Sequence, residues 1–469
     1  MFDSKLKQKY DQIFSHNWEE RKGKFAVELR KHKRYESIKK KRMQRTQVPE
    51  NSGKNDNDAE ILQYISNFNI EDLTYHDYCF IIPKLITTML DSSEEVIKAI
   101  SLLFCSITSK NEEIIDLFIS CDFITYAVDL FTFYSQEVTE NLLWALGNIA
   151  ATGYKYRVCI LETKFLDILR ELLLKTEVKI DLIKHASRCL RILIEKDVEL
   201  KDFQVVELYE IVKELLMLDF TKVNMNCLYV LDSLSHNGYI KGIMDVEILK
   251  RILFFLGSND DRLKISACIV IGNIIYQSET GTNLLLDVGI LDIIDHNIES
   301  LNPSIRKESC WILQNILAGS ESQVKAVLNH YLIPKFIASI GDINFGVRLE
   351  ASYGMKNLSL QNKNLSLSNL VLKFLEYNVL NHIVTSLQIK DKKTISNLVY
   401  FIENLLKCAN EVNINLVSLF ISTGLQKSLE LCYLVADQAT CYKISSILDY
   451  YFNDEEVLSD YEFNDDFVI

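Results

Sequence analysis

The chain repeats itself at a step of about 42 residues, and this period restricts its fold more than any other feature. Four similar stretches begin at Ile107, Ile149, Ile274 and Ile316, so their steps are 42, 125 (three times about 42) and 42 residues. Each reads as the end of one apolar helix, a short polar turn, a second apolar helix, and a small or polar break before a third. Such a unit cannot bury its apolar face alone, so it requires stacked neighbours.

Two other spacings repeat at the same step. Pro83 and Pro334 are 251 residues apart, which is six steps, and each is predicted to lie in the first turn of a helix. Steps of 38, 41 and 42 residues separate four cysteines, which predicts a row of buried free thiols that pack as small hydrophobes: Cys189, Cys227, Cys268 and Cys310.

The repeating unit is helical. Only 4 Pro and 15 Gly interrupt 469 residues, and segments such as RKESCWILQNILAG carry apolar residues at three-and-four spacing. A period of 40 to 47 residues with two or three helices per unit is typical of the armadillo/HEAT class. We predict an all-α, right-handed armadillo superhelical solenoid of about ten repeats over residues 59–453.

Charge divides the rest of the chain. Residues 21–45 contain twelve Lys or Arg against two Glu, whereas the whole chain carries a net charge of −13. Residues 454–469 contain seven acidic residues and no basic one. We predict a basic arm over residues 1–45, whose core is 21–45, a flexible linker over 46–58 and an acidic tail over 454–469.

Several classes of protein are not expected. The N-terminus is too polar for a signal peptide, and no apolar run reaches the ~18 residues of a membrane span, so we expect no membrane insertion. There is no Gly-rich phosphate loop, metal-spaced His pair or nucleophile motif, so we expect neither an enzyme nor a cofactor or metal. The basic arm lacks the Gly-rich or aromatic interleaving of RNA-binding segments, and no nucleic-acid partner is expected.

An aromatic residue followed four positions later by an amide recurs along the repeats. Residues at this spacing share one helix face. The pairs are Trp144 with Asn148, Trp311 with Asn315, Tyr353 with Asn357, Tyr400 with Asn404 and, more weakly, Tyr229 with Ser233, while Asn273 stands alone. Taken singly, such residues are usually core or cap residues. A series in register instead favours a binding surface, because Asn is a poor residue for helix interiors.

The chemistry of this series fits an extended basic peptide. An Asn side chain matches the N–H and C=O of a peptide backbone, and aromatic rings attract the stems and charges of Lys and Arg. Glu308 and Glu350, one turn before Trp311 and Tyr353, would hold the ammonium groups. An alternative is a scaffold of the catenin type, which binds an extended acidic partner and would line its groove with Lys and Arg.

The same residues resemble the importin-alpha family. WALGNIAATG and RKESCWILQNILAGSESQVKAVLNHYLIPKF are similar to its third and seventh armadillo repeats, and FAVELRKHKRYESIKKKRM is similar to its importin-beta-binding segment. The resemblance implies a nuclear import adaptor that shuttles between cytoplasm and nucleus. Its implied partners are proteins bearing basic localisation signals, importin-beta, and an export receptor that recycles the adaptor through the acidic tail. A solubilising role for that tail is an equal alternative.

The resemblance also assigns roles to residues. The minor peptide site would contain Asn273, Glu308, Trp311, Asn315, Glu350, Tyr353 and Asn357, and the major site Trp144, Asn148, Tyr229 and Ser233. Importin-beta would be bound by Arg30, Lys31, Lys33 and Arg34, and an autoinhibitory cluster would be formed by Lys40, Lys41 and Arg42. Folding back of that cluster would compete with cargo at an effective concentration on the order of millimolar.

The chain departs from the family at its major site. The residues that differ from the family's pattern there are Leu102, Ser106, Thr152, Arg188 and Ile192. Arg188 would repel a basic ligand unless it is paired. We therefore expect the minor site to contribute unusually heavily to peptide binding.

Overall fold

A computed structural model of the protein describes residues 56–66, 70, 73–89, 92–174, 177–360, 367–411 and 413–452. The described regular elements are helices, and the chain divides into two compact units, Met1–Cys189 and Leu190–Ile469. The boundary between the units lies within the helix Ile180–Leu193.

The helices of the first unit come in groups along the chain. They are α1 (Asp56–Ser66), α2 (Tyr75–Met89), α3 (Glu94–Ile107), α4 (Glu112–Ser120), α5 (Phe123–Leu130), α6 (Gln136–Thr152), α7 (Tyr154–Leu161), α8 (Phe165–Leu173) and most of α9 (Ile180–Leu193). Because α1 begins at Asp56, the last residues of the predicted linker are helical.

The second unit continues the same pattern. Its helices are α10 (Asp202–Leu216), α11 (Thr221–His236), α12 (Val246–Leu256), α13 (Asp261–Gln277), α14 (Glu279–Asp287), α15 (Ile290–Asn297), α16 (Pro303–Ile316), α17 (Glu321–Leu328), α18 (Ile333–Ala338), α19 (Phe345–Leu360), α20 (Leu367–Glu376), α21 (Val379–Leu387), α22 (Lys392–Glu411), α23 (Val417–Ser422), α24 (Leu425–Cys432) and α25 (Gln438–Tyr451). A short 3-10 turn, Ser339–Gly341, precedes α19.

A long third helix closes each repeat. In the described ranges nine such helices occur, α3, α6, α9, α11, α13, α16, α19, α22 and α25, and their first residues are 40 to 47 residues apart. Two repeats lack a separate first helix, because residues 194–201 and 237–245 form turns and loops. The predicted all-α armadillo class with two or three helices per repeat is confirmed.

Short polar side chains start five of the six third helices described in the second unit, α11 being the exception. The side chains of Asp260, Asn302, Asn344, Asp391 and Asp437 each accept a hydrogen bond from a backbone N–H two or three residues later. These bonds satisfy N–H groups that the first turn of a helix leaves unpaired, and each such cap is worth about 1 kcal/mol. The caps fix where each long helix begins and therefore the register of its side chains.

The turn from the first to the second helix uses a left-handed residue in several repeats. Asp122, Gly289, Asn378 and Gly424 have φ angles of 57°, 84°, 54° and 75°. Gly, Asn and Asp tolerate this region best, which explains why these residue types occupy the position.

The core lies between successive third helices. Within the second unit α11, α13, α16, α19 and α22 pack side by side, and Ile271, Leu313 and Met355 are completely buried between them. Full burial of such a side chain contributes roughly 1.5 to 3 kcal/mol. The predicted row of free cysteines at 189, 227, 268 and 310 is buried as well, which confirms its packing role.

The proline prediction is right at one position and wrong at the other. Pro334 lies in the first turn of α18. Pro83 lies inside α2, because that helix begins eight residues earlier, where Asp77 accepts hydrogen bonds from the N–H and the hydroxyl of Thr74. The break before Pro83 is therefore not a helix start.

Candidate functional site

A cavity of about 750 Å³ lies in the second unit where α13, α16 and α19 meet. Five of the residues predicted from the aromatic-amide series line it: Trp311, Asn315, Glu350, Tyr353 and Asn357. Trp311 and Asn315 are one turn apart on α16, and the other three follow one face of α19 at three-and-four spacing. We call this space the Trp311 cavity.

The indole of Trp311 is fixed by a glycine on the preceding third helix. A Cβ atom at Gly272 would lie only 1.9 Å from Cζ3 of Trp311, so any other residue there would displace the ring. The ring therefore packs against the backbone of α13 and remains half-buried at the cavity wall. A binding ring held in this way loses little side-chain entropy when a ligand arrives.

The electrostatics of the cavity favour a cation. Its lining contains Glu279 and Glu350 and no Lys or Arg among the described residues. The C-terminal turns of α13 and α16 and the N-terminal turns of α14 and α17 all border it, so the helix dipoles oppose one another and the two carboxylates set the sign of the charge.

The pKa of Glu350, whose side chain lines the cavity, is raised. Burial raises its pKa above the ordinary value, the charge of Lys307 opposes that shift, and the charge of Glu308 adds to it. Glu308 does not line the cavity: its side chain is only 12% exposed, and Lys307 pairs with it at 2.9 Å. A cationic ligand near Glu350 would favour its ionised form.

The asparagine amides bridge successive third helices. Nδ2 of Asn148 donates to the carbonyl of Cys105 at 3.1 Å, and Nδ2 of Asn357 donates to the carbonyl of Gln314 at 2.9 Å. Asn273 donates likewise to two side chains of α11. In the described parts of the chain no donor reaches the Oδ1 atoms of these three amides, which can therefore accept an N–H from a ligand backbone.

Asn315 departs from this arrangement. Its Oδ1 accepts from Nε2 of Gln314 at 3.0 Å, whereas its buried Nδ2 has no partner within the described residues. An unsatisfied buried donor costs roughly 1 to 3 kcal/mol.

The predicted ring of the first unit has a different environment. Trp144 is 44% exposed, its ring centroid is 5.1 Å from that of His185, and the guanidinium carbon of Arg188 lies 5.3 Å from the indole centroid. This distance is within the range of a cation–π contact. A cation of the chain itself therefore covers the ring that was predicted to hold a ligand cation.

Tyr229 of the second unit is covered in the same way. The guanidinium carbon of Arg191 lies 5.3 Å from its ring centroid. Its predicted partner Ser233 is only 7% exposed and does not offer a surface hydroxyl.

Several residues that shape the Trp311 cavity, Glu279 among them, were not sequence candidates. Tyr276 and Gln314 line it, and Gly272 supports the indole. One feature of the sequence could have identified Gly272: a glycine directly precedes the asparagine of the series in two repeats. These pairs are Gly272–Asn273 and Gly147–Asn148.

Other predicted residues lie outside the described residues. These are Arg30, Lys31, Lys33 and Arg34 of the importin-beta-binding prediction, Lys40, Lys41 and Arg42 of the autoinhibitory cluster, and the acidic tail 454–469. Across the described ranges no group of three or more His, Cys, Asp or Glu side chains is placed to hold a metal ion. No helix within those ranges combines the length and apolarity needed to span a bilayer.

Comparisons with known proteins support the fold. No protein-family model and no curated protein matches the chain. A crystal structure of an engineered protein from the Northeast Structural Genomics Consortium superposes with a TM-score of 0.67 at 17% identity, covering 84% of this chain and 94% of that one.

Two designed proteins are also among the similar structures. A designed armadillo repeat protein in complex with the peptide (KR)4 has a TM-score of 0.33 at 16% identity and covers 59% of this chain and 99% of its own. A computationally designed armadillo repeat protein for modular peptide recognition has a TM-score of 0.35 at 16% identity, with 59% and 98% covered. The repeat of two or three helices described above defines the chain as an all-α repeat protein of the armadillo type.

Proposed function

We propose that this protein is a peptide-binding armadillo scaffold that acts as a nuclear import adaptor similar to importin-alpha. In this function it binds basic nuclear-localisation peptides of cargo proteins and connects them to importin-beta through residues 21–45. It would shuttle between cytoplasm and nucleus. The sequence resemblance in FAVELRKHKRYESIKKKRM supports the importin-beta partner.

The observation that carries the peptide-binding part is the Trp311 cavity. It brings the rings of Tyr276, Trp311 and Tyr353 together with two asparagine amides and two carboxylates, without a basic residue in its lining. Rings accept the alkyl stem of Lys or Arg, carboxylates attract its charge, and amides pair with an extended backbone. A basic extended peptide satisfies all three requirements at once.

The covered rings of Trp144 and Tyr229 support a difference in peptide affinity between two regions of the chain. Since Arg188 and Arg191 lie over these rings, a ligand cation would have to displace them or suffer repulsion. The proposed adaptor therefore obtains most of its affinity for basic peptides at the Trp311 cavity, the region that corresponds to the family's minor site.

The arm supplies the proposed regulation. Lys40, Lys41 and Arg42 would occupy the peptide site in the free adaptor, and importin-beta would remove them by binding residues 21–45. The same charges make the association with an acidic partner fast and sensitive to salt.

Fluorescence anisotropy with a labelled Lys-rich peptide tests the proposal. The full chain should bind the peptide, residues 59–469 should bind it more tightly because the arm is absent, and importin-beta should restore tight binding to the full chain. An acidic peptide of equal length is the control. Preference for the acidic peptide would contradict the proposal and favour the catenin-type scaffold.

A further inference from the structure

Tyr400 is the next ring of the aromatic-amide series after Tyr353, and it already has two cations of the chain beside it. Nζ of Lys443 lies 4.2 Å from the centroid of this ring and Nζ of Lys356 lies 4.8 Å from it. Both distances are well inside the limit of about 6 Å for a cation–π contact. The two lysines come from α25 and α19, the third helices on either side of α22.

A carboxylate holds one of these lysines in place. Glu403, one turn after Tyr400 on α22, accepts hydrogen bonds at 2.5 Å from Nζ of Lys443 and at 2.5 Å from Nζ of Lys407. Although burial disfavours its charged form, these bonds lower the pKa of Glu403 below the ordinary value. The ion pair with Lys443 is largely shielded from water, which makes it stronger than a surface pair.

The ring otherwise resembles a ligand site of the series. Asn404 lies one turn later, and its Nδ2 donates to Oγ of Ser359 on the preceding third helix at 3.2 Å. Ring, amide and carboxylate are the same three elements that line the Trp311 cavity. The difference is that the rings of Trp311 and Tyr353 have no cation–π partner among the described residues.

We infer that Lys443, assisted by Lys356, occupies the Tyr400 ring as an internal substitute for a peptide lysine and so ends the binding surface for basic side chains at Tyr353. This inference rests on the proposed binding of basic peptides and adds to it a limit on which peptides gain affinity. A peptide whose basic residues fill the Trp311 cavity gains nothing from a further lysine directed at Tyr400. The two internal lysines are thus specificity-determining residues, although a ligand does not touch them.

The experiment compares a short basic peptide with a set of longer ones on four forms of the full chain, and a fifth form serves as a further check. The short peptide carries one basic cluster, and the long set extends it by two to four residues with one extra Lys at either end. The forms are wild type, Lys443→Met, Lys356→Met with Lys443→Met, and Lys407→Met as the matched control, because Lys407 pairs with Glu403 without lying over the ring. Any competition by the arm affects both peptides and cancels in the ratio of their affinities.

The expected result is a change in that ratio alone. Wild type and Lys407→Met should bind long and short peptides equally, Lys443→Met should favour the better long peptide about threefold, and the double variant about tenfold. Adding Tyr400→Leu to the double variant should abolish the gain. The affinity of the short peptide should stay constant in all forms.

Each other outcome has a defined meaning. A long peptide that gains affinity on the wild type, or fails to gain it on both Met variants while the short peptide still binds, overturns the inference and leaves the proposed function standing. Failure of the short peptide to bind any form overturns the proposed function and the inference with it. Thermal unfolding of each variant reports separately on the contribution of Lys443 to stability.

Discussion

Trp144 in the first unit and Trp311 in the second belong to the same sequence motif, yet their surroundings are opposite. Arg188 and His185 lie beside the indole of Trp144, which is otherwise exposed. The indole of Trp311 lies against Gly272 at the wall of a cavity that contains Glu350. The indole of Trp144 is thus in contact with a cation of its own chain, whereas that of Trp311 lines a cavity with two carboxylates.

The comparison teaches that the motif alone does not determine whether a ring can bind a ligand. For these two rings the difference lies in the residue at the corresponding position one repeat later, whereas Tyr229 is covered by Arg191 of the preceding repeat. Arg188 takes this position after Trp144, whereas Tyr353 takes it after Trp311. An arginine closes the ring to cations, while a second ring forms the other wall of a site for them.

The largest expected effect comes from removing each ring with its amide. Trp311→Ala with Asn315→Ala should weaken a single-cluster basic peptide by about 100-fold, as for a central binding anchor, and Trp144→Ala with Asn148→Ala by less than about threefold. Anisotropy titrations of both double variants measure this difference, and the opposite order would refute the proposed division between the two regions.

The effect on stability should be larger at Asn148 than at Asn315, which is the reverse of the expected effect on binding. Asn148→Ala removes a bridge to the carbonyl of Cys105, whereas Nδ2 of Asn315 has no partner to lose. We expect the free energy of unfolding to fall by about 1 kcal/mol more for Asn148→Ala than for Asn315→Ala. Denaturant titrations of the single variants would thereby separate a loss of binding from a loss of structure.

Uncovering the first ring should produce a smaller effect. In the background of the Trp311→Ala and Asn315→Ala variant, Arg188→Leu should raise the residual affinity for a basic peptide about fivefold, because the indole of Trp144 becomes free and a repelling charge is removed. Arg188→Lys is the control, since it retains the charge. Equal affinities of the two variants would show that Arg188 does not close this ring.

The smallest effect is a dependence on pH. Because the pKa of Glu350 is raised, this group takes up a proton at a higher pH than an ordinary carboxyl, and a cationic peptide then loses its attraction. Affinity should fall as the pH is lowered towards the raised pKa of Glu350, and Glu350→Gln should flatten this profile. Stability should respond with the opposite sign: a raised carboxyl pKa makes the folded state relatively more stable as the pH falls through that pKa. A profile unchanged by the substitution would exclude Glu350 as the titrating group.

Much of the architecture follows from periodicity. Steps of about 42 residues identify the third helices because each must bury the same face against its neighbours. The amide of Asn357 therefore lies in register with those of Asn148 and Asn273 and makes the same kind of bridge to the preceding third helix. Five of the seven residues predicted for the minor site line one cavity for the same reason. The start of α2 was not predictable from Pro83, since the helix begins eight residues earlier, where Thr74 and Asp77 form its cap.

What periodicity cannot supply is the path of a long side chain. The spacing places Arg188 and Lys443 on the correct helices, but whether their charged ends reach a ring depends on the neighbouring repeat. The same limit applies to Gly272, whose importance appears only when the ring of Trp311 is seen above it. The roles of Gly272, which makes room for a ring, and of Arg188 and Lys443, which cover one, therefore cannot be predicted from a single sequence.

The asparagine bridges have a consequence for which residues mark a binding site. Since the amides of Asn148, Asn273 and Asn357 join consecutive helices through their N–H groups, they stabilise the stack whether or not a ligand is bound. A single arginine can therefore close a ring to ligand cations, as Arg188 does at Trp144, without disturbing the amide ladder. In a chain of this kind, an asparagine in register marks a stable repeat, and the absence of a cation over the neighbouring ring marks a binding site.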